Sequence, residues 1–122
     1  MTAQHRGLAA GRWFNFSLVE QLANTGSEVE RALNWRERCD VEHSTRAVER
    51  ALELLDLTIA DTRHRGRLKE LTRVREVLVD YFYADNRYGS SPARWRTYFN
   101  AFAVAARAGR WQQTSDRPTH TE

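Results

Sequence analysis

The stretch from Asp40 to Phe82 places apolar residues at helical spacing twice, with an arginine-rich segment between the two sets. At 100° per residue, each set falls on one side of a helix. Asp40 is a candidate N-cap of the first helix, because its carboxylate can accept hydrogen bonds from free backbone N–H groups. The stretch therefore predicts two antiparallel helices joined by a short turn. Their apolar faces are Val41, Ser44, Val48, Ala51, Leu52, Leu55 and Ile59, then Leu68, Leu71, Val74, Leu78, Tyr81 and Phe82.

Two further amphipathic helices flank this hairpin. Ser17 and Glu20 match a capping box at the start of the first of them. Ser91 followed by Pro92 is a strong start signal for the last one, and Gly109 is its expected end. No strand pattern is present. Helices are therefore predicted near residues 17–38, 41–60, 66–84 and 92–108.

Four amphipathic helices with short connections are typical of an antiparallel four-helix bundle, so the predicted fold class is all-α. The 122 residues suffice for one domain with a real core. We expect the bundle at residues 13–109, a flexible lead-in at residues 1–12 and a flexible, disordered tail at residues 110–122. Gly26 lies on the inner face of the first helix. It either lets a neighbouring helix approach closely or weakens its own helix by about 1 kcal/mol relative to alanine.

Composition favours a soluble protein of the cytoplasm. Hydrophobic residues make up 41% of the chain and charged residues 29%, which is ordinary for a globular protein. No apolar run approaches the ~20 residues that span a bilayer, and no signal peptide is apparent. The single cysteine, Cys39, excludes an internal disulfide and fits a reducing compartment. The net charge of +3 is below that of a dedicated DNA-binding protein.

Charge is sorted between the two halves of the hairpin. Residues 40–61 carry six acids and two arginines, whereas residues 62–79 carry six basic residues and two glutamates. The cations crowd a helix start, where the helix dipole disfavours them. They either neutralise Asp56 and Asp61 across the turn or bind phosphate or an acidic partner. These candidate binding residues are Arg63, Arg65, Arg67 and Lys69.

Arg75 falls inside the apolar arc of its helix, where an unpaired charge would be very costly. Glu28, Glu53 and Asp56 are its candidate partners. The alternative is that its aliphatic stem packs while the guanidinium reaches solvent.

A second candidate surface follows Asp80, where arginines alternate with aromatic residues. Such mixtures form protein hot spots and platforms for single-stranded nucleic acid. The alternative is a set of core aromatics with solvated arginines. The candidate binding residues here are Tyr83, Arg87, Tyr88 and Arg94.

No motif indicates a metal or a cofactor, and we expect neither. His5, His43, His64 and His120 are widely separated and lack carboxylates at ligand spacing. Glycine loops that bind nucleotides are absent, and no serine or cysteine nucleophile has a recognisable local setting.

One enzymatic motif remains. Arg38 and His43, separated by four residues, resemble the arginine–histidine motif of HEPN-type helical-bundle ribonucleases. The resemblance implies RNA cleavage by metal-independent acid–base chemistry, with these two residues as catalytic groups, in a protein that is often dimeric. In that family the motif lies on or beside a late helix, whereas here the pair spans the break between the first two helices. The alternative is a surface histidine at a helix start.

The wider sequence is similar to a family of small uncharacterised bacterial helical proteins. The similarity covers roughly residues 13–107 and implies no activity, ligand or site. It rests on the strings FNFSLVEQLANTGSEVERAL, RALELLDLTIAD, RLKELTRVREVLVDYF and SSPARWRTYFNAFAVAAR.

These observations favour a non-enzymatic interaction or accessory protein that acts in an oligomer or complex. A protein partner or self-association is expected, RNA is a further candidate partner, and a membrane is not expected. The competing hypotheses are a HEPN-like RNA-cleaving enzyme and a basic RNA-binding accessory protein without catalysis.

Overall fold

A computed structural model describes residues 8–116 of the protein, with side chains described from Gly11 to Gly109. The predicted all-α class is confirmed, and no strand occurs in this part of the chain. The described elements are α1 (Leu8–Trp13), α2 (Leu18–Glu37), α3 (Val41–Ala60), a 3-10 helix (Thr62–Arg67), α4 (Leu68–Tyr83) and α5 (Pro92–Asp116).

Local capping explains where α2 and α3 begin. Glu20 Oε1 accepts from the backbone N–H of Ser17 at 2.9 Å, and Ser17 Oγ accepts from the N–H of Glu20 at 3.2 Å. The predicted capping box is therefore confirmed. Asp40 caps α3 as predicted, since its carboxylate accepts from the N–H of His43 at 3.0 Å.

The two ends of the described chain differ from the prediction. A helix, α1, occupies Leu8–Trp13, where a lead-in without regular structure was expected through residue 12. At the other end α5 continues through Gly109 to Asp116. A glycine weakens a helix by about 1 kcal/mol but does not by itself end one. Residues 1–7 and 117–122 of the predicted lead-in and tail lie outside the described residues.

Helix α2 packs along both α3 and α5, and α3 packs along α4. Their apolar faces meet in one core cluster, against which Phe102 is partly buried. Val41 and Leu68, the first residues of their helices, were predicted to face the core but are 74% and 42% exposed. The cluster comprises Leu22, Val29, Leu33, Ala51, Leu55, Leu71, Val74, Leu78, Trp95 and Phe99.

Gly26 lies at a close approach of α2 and α5. A Cβ atom built at this glycine would lie 2.6 Å from Cβ of Phe99 and 2.9 Å from Cγ. Because Phe99 Cβ is fixed to its own helix backbone, no rotamer change of the ring relieves the shorter contact. The structure therefore selects the first of the two predicted roles of Gly26, close helix packing.

Gly26→Ala should lower the free energy of unfolding by about 1–3 kcal/mol, because overpacking forces the helices apart. The better helix propensity of alanine, about 1 kcal/mol, offsets part of that loss. Urea unfolding followed by circular dichroism measures the change. Ser27→Ala, one residue further along α2 and exposed, is the matched control and should cause no comparable loss. Equal stability of the two variants would contradict this close approach.

Arg75 finds one of its three predicted partners. Its Nε donates to Asp56 Oδ1 at 2.7 Å, which links α4 to α3. Both side chains stay partly exposed, so the pair lies at the edge of the core and contributes little to stability. Among the described residues, no helix has both the length and the apolar character needed to cross a bilayer.

Candidate functional site

The predicted binding residues lie at opposite ends of α4. Three of the first group, Arg63, Arg65 and Arg67, lie in the 3-10 helix before α4, and Lys69 is the second residue of α4; we call this segment the arginine turn. Tyr83 ends α4, and the remaining candidates follow it. Sixteen residues at 1.5 Å per residue separate the two groups by about 24 Å. We call the end that contains the α2–α3 connection, Tyr83 and the α4–α5 connection the notch end. The opposite end, which contains residues 61–69, is called the turn end.

Arg36 ties α2 to α4 at the notch end. Its guanidinium carbon lies 4.6 Å from the ring centroid of Tyr81 and 5.4 Å from that of Phe82. Its Nη1 also donates to the carbonyl of Tyr81 at 3.5 Å. Beside it a surface notch of about 240 Å³ opens between α2, α3 and α4. The notch is lined by Arg36, Val41, Ser44, Thr45, Val48, Phe82 and Tyr83.

Two large residues of the notch lining are exposed. Val41 is 74% exposed and Tyr83 is 49% exposed, so both side chains contact solvent there. Partial burial, with a smaller effect from the charge of Glu49, raises the pKa of the Tyr83 phenol above its ordinary value. Tyr83 is therefore a neutral hydrogen-bond donor near pH 7.

Arg38 and His43 both contact the Trp35 indole. The His43 ring stacks on the Trp35 indole with centroids 4.5 Å apart, and the Arg38 guanidinium lies 5.4 Å from the same ring. His43 Nδ1 lies 2.8 Å from Asp40 Oδ2. Hydrogen bonds from the His43 backbone and ring lower the pKa of Asp40. The arrangement orients a half-exposed imidazole against a carboxylate.

Tyr88 and the α4–α5 connection form a separate, internally bonded part of the notch end. Asp80 accepts hydrogen bonds from the backbone N–H groups of Arg87 and Tyr88. The Tyr88 hydroxyl donates to Glu76 at 2.8 Å, and that bond raises the pKa of the phenol. Arg94 Nη1 donates to the Gly89 carbonyl at 3.4 Å. Tyr88 and Arg94 therefore already have partners within the chain, whereas Arg87 is exposed.

At the turn end, neutralisation explains only part of the cation cluster. Arg63 Nη2 lies 2.6 Å from Asp61 Oδ2, and Arg67 pairs with Glu70 at 2.7 Å. The prediction that the cluster also neutralises Asp56 is wrong, because that carboxylate bonds to Arg75 across α3 and α4. The exposed side chains of Arg65 and Lys69 pair with no other residue in the described chain.

A buried polar network lies behind the arginine turn. The Gln21 amide donates to the Trp13 carbonyl at 2.9 Å and to Asp61 Oδ2 at 3.2 Å. His64 Nε2 lies 2.9 Å from Gln21 Oε1, and Trp13 Nε1 donates to Thr58 at 3.1 Å. The network joins α1, α2, α3 and the 3-10 helix. Sequence reasoning missed it, and its only local signal was the Asp61-x-x-His64 spacing.

Arg63 and burial set the charges of this network. Hydrogen bonds from the Arg63 side chain hold the pKa of Asp61 far below its ordinary value. Burial lowers the pKa of His64, although the charge of Asp61 acts in the opposite direction. The network therefore holds a carboxylate and a neutral imidazole near pH 7. A neutral imidazole has one N–H group. Because the Gln21 NH2 group donates to Trp13 and Asp61, its Oε1 is the acceptor, and the His64 N–H is assigned to Nε2.

The depressed pKa of His64 predicts a pH-dependent stability. The unfolded chain binds the imidazole proton at a higher pH than the folded chain, so the free energy of unfolding should fall as pH drops below about 6.5. Asp61 affects the pH dependence of stability only at lower pH. Its stabilising effect is constant above the ordinary carboxyl range and is lost as pH falls below that range. Urea unfolding between about pH 7 and 5 isolates the histidine effect. His64→Gln should reduce that decrease and exposed His43→Gln should keep it; the reverse pattern would contradict the assignment.

The described residues contain no group of three or more histidine, cysteine, aspartate or glutamate side chains that could hold a metal ion. Comparisons with protein-family models, with curated proteins and with solved structures give no match. The resemblances to small bacterial helical proteins and to HEPN-type ribonucleases therefore stay predictions.

Proposed function

We propose that this protein is a non-enzymatic interaction protein of the cytoplasm that binds a protein partner through the notch. In this proposal α2 to α5 form an antiparallel four-helix bundle, which serves as the rigid scaffold for that surface. Self-association through the notch is one form of the same function. The exposure of Val41 and Tyr83, which both line the notch, is the observation that carries the proposal.

The chemistry of the notch supports a protein partner. Hot spots in protein interfaces are enriched in tyrosine and arginine and centre on pockets that exclude water. Tyr83 combines a large apolar ring with a neutral hydroxyl donor, and Arg36 is held in place by two aromatic rings. Little side-chain freedom of Arg36 would therefore be lost on binding, which favours affinity.

Two variants test the notch. Tyr83→Ala and Val41→Ser should each reduce partner capture in a pull-down from the native host, by about tenfold for Tyr83→Ala if it is a hot spot. The matched control is Val104→Ser, since Val104 is 48% exposed on α5. Treatment with nuclease separates protein partners from those held by RNA. Sedimentation velocity of the purified variants reports self-association. Unchanged capture and unchanged self-association in both notch variants would reject the proposal.

The second candidate function is metal-independent RNA cleavage, which the Asp40–His43 contact favours. If His43 donates from Nδ1 to Asp40, its Nε2 keeps a lone pair that can accept a proton from a ribose 2′-hydroxyl. Attack of that oxygen on the adjacent phosphate forms the 2′,3′-cyclic phosphate and breaks the bond to the 5′-oxygen, which leaves as a hydroxyl after taking a proton from water. Arg38, on the same indole, would stabilise the charge on the phosphate. Asp40 would act as a positioning residue.

RNA cleavage in EDTA distinguishes the two candidates. A ribonuclease would lose its activity in His43→Ala, whereas Asp40→Asn would retain part of it because the histidine remains. Equal cleavage by wild type and His43→Ala would indicate a contaminating nuclease. Absence of cleavage by the wild-type protein would leave binding as the only proposed function.

A further inference from the structure

Two phenylalanine rings contact solvent beside the arginine turn. Phe14 is 39% exposed and Phe16 is 36% exposed, in the short connection between α1 and α2. Of the three aromatic residues at this point of the chain, only Trp13, the last residue of α1, is buried. The two phenylalanine rings therefore contribute much less to the core than the Trp13 ring does.

The connection is fixed to the turn end by specific contacts. Arg63 Nη2 donates to the Phe16 carbonyl at 2.7 Å while pairing with Asp61. Trp13 packs edge-to-face on Phe16 with ring centroids 5.8 Å apart, and its indole N–H is bonded to Thr58. The Phe16 ring is thus held beside the arginine turn before any ligand arrives.

Positive charge at this end exceeds the nearby negative charge. The side chains of Arg12, Arg65 and Lys69 are exposed and pair with no other residue in the described chain. The nearby carboxylates already accept hydrogen bonds from other groups of the chain. Asp61 pairs with Arg63, Glu20 closes the capping box, and Glu70 accepts from Arg67 and from the Tyr98 hydroxyl. A polyanion is therefore the ligand that matches the charge of this surface.

We propose that the turn end binds single-stranded nucleic acid. Phe14 and Phe16 supply ring faces on which bases stack, and Arg12, Arg65 and Lys69 contact the phosphates. Aromatic faces beside a positive surface are the arrangement that single-stranded nucleic-acid sites use. A duplex hides its base faces and would gain only the phosphate contacts. This site is separate from the notch and does not depend on the proposed protein partner.

The limited exposure of Phe14 and Phe16 favours nucleic acid, rather than a membrane surface, as the ligand of the turn end. An anionic bilayer also attracts cations and apolar side chains, but it requires side chains that project into the lipid. Phe14 and Phe16 are each less than two-fifths exposed. They therefore offer part of a ring face for stacking but little surface for insertion into lipid.

Fluorescence anisotropy with labelled oligouridylate and oligothymidylate of about ten nucleotides tests the proposal in EDTA. Phe14→Leu with Phe16→Leu keeps the apolar surface but removes the aromatic faces, and should weaken binding at least about fivefold. Arg65→Gln with Lys69→Gln should flatten the salt dependence by roughly 0.7 per lost phosphate contact. Arg87→Gln with Arg94→Gln, at the notch end, makes the same charge change and should alter neither.

Circular dichroism melting confirms that each variant is folded. Unaltered affinity of the leucine variant would overturn the stacking role, as would equal affinity for a duplex of the same length. A flatter salt dependence in the Arg87/Arg94 variant alone would place the nucleic acid at the notch end. Binding of the leucine variant to anionic vesicles, with no binding of either oligonucleotide to wild type, would reject the proposal in favour of a membrane surface.

Discussion

Leu78→Ala should lower the free energy of unfolding by about 2–5 kcal/mol, the usual range for truncating a fully buried leucine. Leu78 is 1% exposed and belongs to the core cluster to which α2, α3 and α5 also contribute. The loss combines the transfer free energy of the removed methyl groups with a cavity that the surrounding helices fill only in part. Urea unfolding followed by circular dichroism measures it directly.

Val104→Ala is the control for this prediction. Val104 lies on α5 and is 48% exposed, so its truncation should change stability by no more than about 0.5 kcal/mol. A loss below about 1 kcal/mol for Leu78→Ala would mean that α4 presents a different face to the core.

The helices could be predicted from the sequence because their signals are local. The capping box at Ser17, the carboxylate cap at Asp40 and the Ser91–Pro92 start each act within one turn of helix. Each begins a helix within about a residue of the predicted position. Periodicity then identifies the buried face from spacing alone.

The extent of packing could not be predicted, because it depends on neighbours distant in sequence. Val41 and Leu68 have the spacing of core residues, yet each begins its helix and is largely exposed. Helical spacing predicts the face on which a side chain lies. It does not predict whether a neighbouring helix extends far enough to cover that side chain. Likewise Arg75 had three candidate acids, and only the three-dimensional arrangement selects Asp56.

The candidate binding residues, like the helices, could be located from the sequence, but their pairing could not be predicted. The arginine turn and the aromatic residues after Asp80 could be identified from the sequence. Which of their cations are paired with acids, and which are available to a ligand, could not. The structure separates Arg63 and Arg67, which are paired with acids, from Arg65, which is not paired within the described chain. It also shows that Tyr83 flanks a notch while the Tyr88 hydroxyl is bonded to Glu76.

The spacing Asp-x-x-His occurs twice and has two outcomes. Asp40 and Asp61 each accept a backbone N–H at the start of a helix, and each has a histidine three residues later. The imidazole of His43 is half-exposed and stacks on an indole, whereas that of His64 is buried against Gln21. The motif alone cannot distinguish the two, because the difference comes from the helices packed around each histidine.

Asp61→Ala should therefore destabilise the protein much more than Asp40→Ala. Removing the Asp61 carboxylate leaves the buried Gln21 amide with one acceptor fewer and Arg63 with only the Phe16 carbonyl as an acceptor. A buried donor that loses its acceptor costs ~1–3 kcal/mol and a lost cap ~1 kcal/mol, so we expect a loss of about 2–4 kcal/mol. Urea unfolding of both variants at pH ~7 gives the comparison.

Asp40→Ala makes the same chemical change at the same spacing, so it isolates the contribution of burial. It removes a partly exposed cap and should cause a small loss of stability, while freeing His43 from its carboxylate. If that variant also lost RNA cleavage shown by the wild type, Asp40 would have a role in positioning His43 for catalysis. Equal destabilisation by the two substitutions would show that capping alone, and not the buried network, explains why Asp61 is stabilising.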